Sequence, residues 1–215
     1  MKAPRIYYIN LDHRTDRRAE FDNEMTTLRH AIVDDDPDAP IPEVIRIPAI
    51  KNAVGAIGCG MSHCLALQKF LDSEDETAII MEDDFTFHPK MIPLLVEYLA
   101  EGKIPCEADI LLLSANLRDY RPDKREFIRV LRSFTTSGYW ITRALAQDLI
   151  RLWDCCNLLH GVSVNKPNPY YCIDVAWWGL MTDRRFLALT PAIGQIGYQR
   201  PGFSDIEQRS VSYGV

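Results

Sequence analysis

The stretch Thr77-Ala78-Ile79-Ile80-Met81-Glu82-Asp83-Asp84-Phe85 decides the fold. Thr77 to Met81 is an unbroken strand-prone run, the pattern of a central strand covered on both faces of an α/β sheet. It stops abruptly at three consecutive acids, which therefore sit at the strand's carboxyl end, the edge where open α/β sheets bind ligands. Three adjacent carboxylates repel one another unless a cation or protons compensate. A hard divalent ion such as Mg(II) or Mn(II), bridging to the phosphate oxygens of a ligand, is one compensation. A solvated acidic turn is the other reading of the same residues.

Outward from that strand, extended and helical patterns alternate, as a mostly parallel central sheet flanked by helices requires. Arg5 to Asn10 reads as a first strand and Thr15 to Arg29 as a first helix. Asp34 to Pro42, with its acids and prolines, reads as an exposed loop. Glu43 to Ile47 is a second short strand, and Gly55 opens a helix running to about Leu71. Beyond the acids, Pro89 to Ala100 is a helix with proline in its first turn. Ala108 to Ser114 is a buried strand and Arg118 to Lys124 a polar connection. Phe127 to Leu131 and Gly138 to Thr142 read as strands, Arg143 to Trp153 as an amphipathic helix, Ile173 to Met181 as helical and Phe186 to Leu189 as extended. The whole of 1–215 reads as one domain, with aperiodic coil from about residue 191.

Composition narrows the function classes. A content of 47% hydrophobic and 25% charged residues is that of an ordinary globular protein and excludes disordered or collagenous chains. The formal net charge of −6 argues against nonspecific nucleic-acid binding. Met1-Lys2-Ala3-Pro4-Arg5 leads into a strand without an apolar segment of signal-peptide form, and nothing is long enough to span a bilayer. Six cysteines without paired zinc-type spacing read as free thiols, so a cytoplasmic setting is expected.

Three further stretches could carry chemistry. Asn10-Leu11-Asp12-His13-Arg14-Thr15-Asp16-Arg17-Arg18 places polar and basic residues where the first strand meets the first helix; such a terminus, with arginines, suits a diphosphate, or is simply a solvated helix start. Gly58-Cys59-Gly60-Met61-Ser62-His63 permits close backbone approach to a ligand but matches no nucleotide-binding fingerprint. Tyr170-Tyr171-Cys172-Ile173-Asp174-Val175-Ala176-Trp177-Trp178 sets one acid among aromatic rings. This arrangement serves a sugar site, and Asp174 could equally be a helix cap.

In order and spacing these motifs resemble family twenty-five of the glycosyltransferases, which includes bacterial lipooligosaccharide galactosyltransferases and collagen-type galactosyltransferase domains. The matching residues are Tyr8 to Asp12 with Arg14, Arg17 and Arg18; Gly58-Cys59 with Ser62-His63; Glu82-Asp83-Asp84; Thr136 with Gly138-Tyr139; Asp174; and Ser204-Asp205-Ile206. The resemblance implies a Rossmann-like fold of GT-A type, a UDP-sugar donor, Mn(II) or Mg(II), and transfer of galactose or glucose with inversion to a hydroxyl on a glycan or glycoconjugate.

Carried over by position, the resemblance implies that Asp84 ligates the metal with Glu82, which also lies near the ribose. It implies donor binding by Asn10, Leu11, Asp12, Arg14, Arg17, Gly58, Ser62, His63, Glu82 and Asp83. Asp174 takes the place of the general base, and Tyr139, Trp177, Ser204 and Asp205 that of the acceptor or sugar pocket. One departure concerns the late histidine that many GT-A enzymes give to the metal: after His88 only His160 remains, in a stretch without a match. A catalytically silent nucleotide-sugar or glycan-binding module of the same fold is the competing reading. A metal-dependent phosphohydrolase is disfavoured by the lack of a nucleophilic DxD with its Thr and Lys partners.

Overall fold

A computed structural model of the protein describes residues 2–162, 168–204 and 209–211. In chain order the elements are β1 (Arg5–Asn10), α1 (Thr15–Asp35), β2 (Val44–Pro48), α2 (Gly55–Leu71), β3 (Thr77–Glu82), β4 (Phe85–Phe87), α3 (Ile92–Glu101), β5 (Ile110–Leu112), β6 (Asn116–Pro122), β7 (Phe127–Phe134), β8 (Gly138–Thr142), α4 (Arg143–Val162), α5 (Ile173–Ala176), α6 (Trp178–Met181), β9 (Phe186–Leu189), β10 (Gly197–Gln199), β11 (Gly202–Ser204) and β12 (Arg209–Val211). Eight strands form one sheet in the order β2-β1-β3-β8-β5-β9-β7-β6.

The sheet is mixed. β2, β1 and β3 run parallel, as do β5 and β9, while β8 is antiparallel to both of its neighbours and β7 to both of its own. β8 follows β7 and returns the chain between β3 and β5, so it meets both head to tail. Side chains alternate strictly along the central strands: Ile6, Tyr8, Ile79, Met81 and Trp140 enter one core, and Tyr7, Ile9, Ile80, Tyr139 and Ile141 the other. The first core is closed by Phe21 and Leu28 of α1 and Leu95 and Leu99 of α3; the second by Leu67 and Phe70 of α2 and Leu149 and Trp153 of α4. A sheet covered on both faces needs apolar residues at every position, which is why β3 reads as a continuous run.

Several segments differ from the sequence reading. α1 continues to Asp35 because Ile32, only 2% exposed, still packs on the core, and the Asp36 N–H closes the turn on the Ile32 carbonyl. α4 likewise continues past Trp153 to Val162, burying Cys156 and His160. The Arg118–Lys124 connection is largely strand: β6 pairs antiparallel with β7 through two register shifts. β6 is an edge strand with most of its residues wet, so its polar sequence carries no core-facing alternation. Pro89–Met91 forms a single tight turn ahead of α3, and the 173–181 helix is two short ones meeting at Trp177. The region expected as coil from about 191 contains β10, which pairs antiparallel with β4, and the β11–β12 hairpin.

None of the six cysteines, all among the described residues, forms a disulfide. No helix among the described residues is long and apolar enough to cross a membrane.

Candidate active site

The carboxyl ends of β1 and β3, the first turns of α2 and the start of α5 surround a cavity of about 1070 Å³. That is just above the usual range of about 300–1,000 Å³ for small-molecule sites. Leu11, Arg17, Gly58, Ser62, His63, Glu82, Asp83, Asp84 and Asp174 all line it.

The acidic turn is rigidly held. The Glu82 N–H donates to the Ser137 carbonyl at 2.8 Å, the Asp83 N–H to the Ile9 carbonyl at 3.1 Å, and the Arg200 N–H to the Asp84 carbonyl at 2.7 Å. The three side chains then take different partners. Glu82 Oε1 accepts from the Thr136 hydroxyl at 2.9 Å and lies 3.3 Å from His63 Nε2. Asp83 accepts from Asn10 Nδ2 at 2.7 Å and from Arg17 at 3.0 Å. Asp84 Oδ2 accepts from the same Arg17 nitrogen at 3.2 Å and from Gln199 Nε2 at 3.3 Å, while its Oδ1 is buried with no hydrogen-bond partner among the described residues.

These environments separate the acids electrostatically. Burial pushes the Glu82 carboxyl up, but His63, the Thr136 hydrogen bond and Arg17 together outweigh it and hold Glu82 below its ordinary value. Burial raises Asp83 despite the Asn10 and Arg17 bonds. Asp84 is pushed up to about 7, first by burial and then by the neighbouring Glu82 charge. A buried carboxyl oxygen without a donor, on a group that resists ionising, is the arrangement a bound cation would relieve. The donors are hard oxygens, which suits Mg(II) or Mn(II).

Asp174 stands in the first turn of α5, whose cap position is Cys172, so Asp174 is not the helix cap. Burial raises its carboxyl above the ordinary range, opposed by a hydrogen bond from the Thr135 backbone N–H.

Other residues singled out by the sequence have supporting positions. Asn10 is 1% exposed and holds Asp83 from behind. Asp12 is ion-paired with Arg46 at 2.5 Å and Arg14 with Asp16 at 2.9 Å, both outside the cavity lining among the described residues. Gly58 and Ser62 fasten α2 to the loop after β2. A Cβ on Gly58 would lie 2.6 Å from the Ile50 carbonyl oxygen, and the Ser62 hydroxyl donates to the Gly58 carbonyl at 2.6 Å and accepts from the Ile50 N–H at 2.8 Å.

Tyr139 and Trp177 do not form a sugar pocket. Both are fully buried: Tyr139 reaches His63 Nδ1 at 3.0 Å, and the Trp177 indole donates to the Ser133 carbonyl at 3.1 Å. The ring of Trp177 packs against Tyr139, Trp153 and Phe186, so this aromatic group is core. Ser204 falls in β11, and Asp205 lies outside the described residues.

Thr136 and Cys59 also line the cavity, and both stood in matching motifs without an assigned role. Gln199 was not foreseen at all; it lies 115 residues from Asp84, in a strand too short to show a pattern.

The fold is similar to that of a solved glycosyltransferase involved in the glycosylation of the major capsid of PBCV-1, with a TM-score of 0.50, 10% identity, and coverage of 95% of this chain and 97% of that one. A solved UDP-glucose pyrophosphorylase complexed with UDP-glucose aligns at a TM-score of 0.42 and 9% identity, over 87% of this chain and 90% of that one. No curated protein matches the chain in sequence. The model of glycosyltransferase family 25 (LPS biosynthesis protein) matches residues 3–162, most of the chain, and the protein belongs to that family of glycosyltransferases.

Proposed function

We propose that this glycosyltransferase moves a hexose, galactose or glucose, from a UDP-sugar to a hydroxyl of a glycan or glycoconjugate, with inversion and with Mn(II) or Mg(II) bound at Asp84 and Glu82. The observation that carries the reading is the buried Oδ1 of Asp84, which has no partner among the described residues, in a cavity that Asp174 also lines. The divalent ion, when bound, would neutralise the diphosphate that leaves.

The chain's own residues would do the rest. Arg17, which lines the cavity while bonded to Asp83 and Asp84, keeps the acids in place and offers positive charge to a phosphate. Asn10 ties the Asp83 carboxylate to the carboxyl end of β1. Asp174, its basicity raised by burial, accepts the proton of the acceptor hydroxyl as that oxygen attacks the anomeric carbon on the face opposite the diphosphate. The carbon–oxygen bond to the diphosphate breaks, and the product has inverted configuration.

A panel of UDP-, GDP- and CMP-sugars with Mn(II), read as donor hydrolysis and as thermal shift, tests this reading. Preference for a UDP-hexose that disappears in excess EDTA is the expected result. Full turnover in EDTA overturns the metal, and preference for a CMP-sugar overturns the donor.

A further inference from the structure

Cys59, His63 and Glu82 converge on one wall of the cavity, a sulfur, a ring nitrogen and a carboxylate oxygen all within 4.8 Å of one another. Cys59 and His63 are four residues apart on α2 and so leave the helix on one face, while Glu82 arrives from the end of β3. The two nitrogens of His63 have different neighbours: Nδ1 lies 3.0 Å from the Tyr139 hydroxyl, and Nε2 lies 3.3 Å from Glu82 Oε1.

We propose that Cys59, His63 and Glu82 form a second metal site, selective for a thiophilic divalent ion of the zinc class, which shares Glu82 with the oxygen-only site at Asp84. The donor set argues for this ion. Zinc is held by combinations of Cys, His and carboxylate, whereas Mg(II) and Mn(II) prefer oxygen. Three protein ligands leave the fourth tetrahedral position open to the cavity, as in zinc sites that bind water or substrate.

The outer contacts fit as well. Ligating histidines donate their second N–H to a fixed partner, and ligating carboxylates are hydrogen-bonded in turn. With the proton on Nδ1 directed to the buried Tyr139 hydroxyl, the Nε2 lone pair faces Glu82; the Thr136 hydroxyl already donates to Glu82 Oε1 at 2.9 Å. Ion binding replaces the His63–Glu82 contact with two metal–ligand bonds and adds a third to Cys59, whose thiol proton passes to solvent.

The test uses the full chain stripped of metal and titrated with Co(II), a spectroscopic stand-in for zinc. A thiolate-to-Co(II) charge-transfer band saturating at one ion per chain and displaced by Zn(II) is expected. Cys59→Ser should abolish the band, and Cys172→Ser, which alters another cavity cysteine, should leave it. Tyr139→Phe keeps all three ligands and should weaken Zn(II) binding by about tenfold or more, the usual effect of losing an outer-shell partner. Absence of the band, or its survival in Cys59→Ser, overturns the site. Should Cys59→Ser not fold, Tyr139→Phe and Glu82→Gln decide: unchanged Zn(II) affinity in both overturns it.

Discussion

Asn10 Nδ2 donates to Asp83 Oδ2 at 2.7 Å, tying the carboxyl end of β1 to the acidic turn after β3. The same amide donates to the Arg14 carbonyl at 3.0 Å and accepts from Arg46 Nε at 3.0 Å and Arg18 Nε at 3.4 Å, so every hydrogen-bonding position of one buried side chain is used. Asn10→Ala removes a donor from a buried carboxylate and should cost about 1–3 kcal/mol of stability. Asn10→Asp should cost more, because it faces a fourth acid toward Asp83. Urea denaturation checks both, and wild-type stability for Asn10→Asp would show that the contact is incidental.

Gly138 presents a different constraint on the same turn. A Cβ there would lie 2.4 Å from Phe85 Cε2, and one on Gly197 would lie 2.3 Å from Phe85 Cζ. Phe85 directly follows Asp84 and is fully buried, its ring packed against two glycine backbones, so a ring displaced by added bulk should pull on the acidic turn. Gly138→Ala should therefore overpack the core by about 1–3 kcal/mol and weaken nucleotide-sugar binding together. A calorimetric melt and a binding isotherm measure the two effects. Loss of stability with unaltered binding would mean that the ring shifts independently of Asp84.

What could be read in the sequence follows from how each signal arises. Strands buried on both faces announce themselves, and β1, β3, β8 and β9 lie where their apolar runs put them. α2 begins at Gly55 and ends at Leu71, as its apolar spacing indicates. β6 and β10 stayed hidden, one because an edge strand is wet and the other because three residues hold no period. In the site, the acids were legible because three carboxylates after a strand are costly without a partner. Gln199 was not, since its contact with Asp84 depends on a tail whose course is tertiary. Tyr139 and Trp177 show the opposite error: aromatic rings beside a carboxylate suit a sugar site and a packed core equally, and here the core claims them.

The raised carboxyl of Asp84 sets a pH dependence with a definite sign. Its folded value of about 7 lies above the unfolded value of 3.8. Folding therefore favours the protonated acid, so stability from this group is greatest below the unfolded value, falls as pH rises between the two and levels off above the folded value. Asp84→Asn should flatten that decline and make the metal-free protein more stable than wild type at about pH 8, while removing most of the proposed metal-dependent transfer. Denaturation midpoints of both proteins between about pH 4 and pH 8 check it. A parallel decline in the variant would place the titration elsewhere.

Asp174→Asn bears most directly on catalysis. Asp174 is in the first turn of α5 without capping it, it lines the cavity with the acids, and burial raises its carboxyl toward the range in which it can take a hydroxyl proton. Asparagine keeps the size and retains an oxygen to accept the Thr135 N–H, so the variant should fold and keep the proposed binding of UDP and Mn(II). It cannot accept a proton, and transfer should fall by about a hundredfold or more, the lower bound of general-base contributions. The loss should sit in the chemical step, leaving the donor KM unchanged and lowering kcat. A variant with wild-type kcat would remove Asp174 from the mechanism. A variant with raised KM and unchanged kcat would make it a binding residue for the acceptor or the donor sugar.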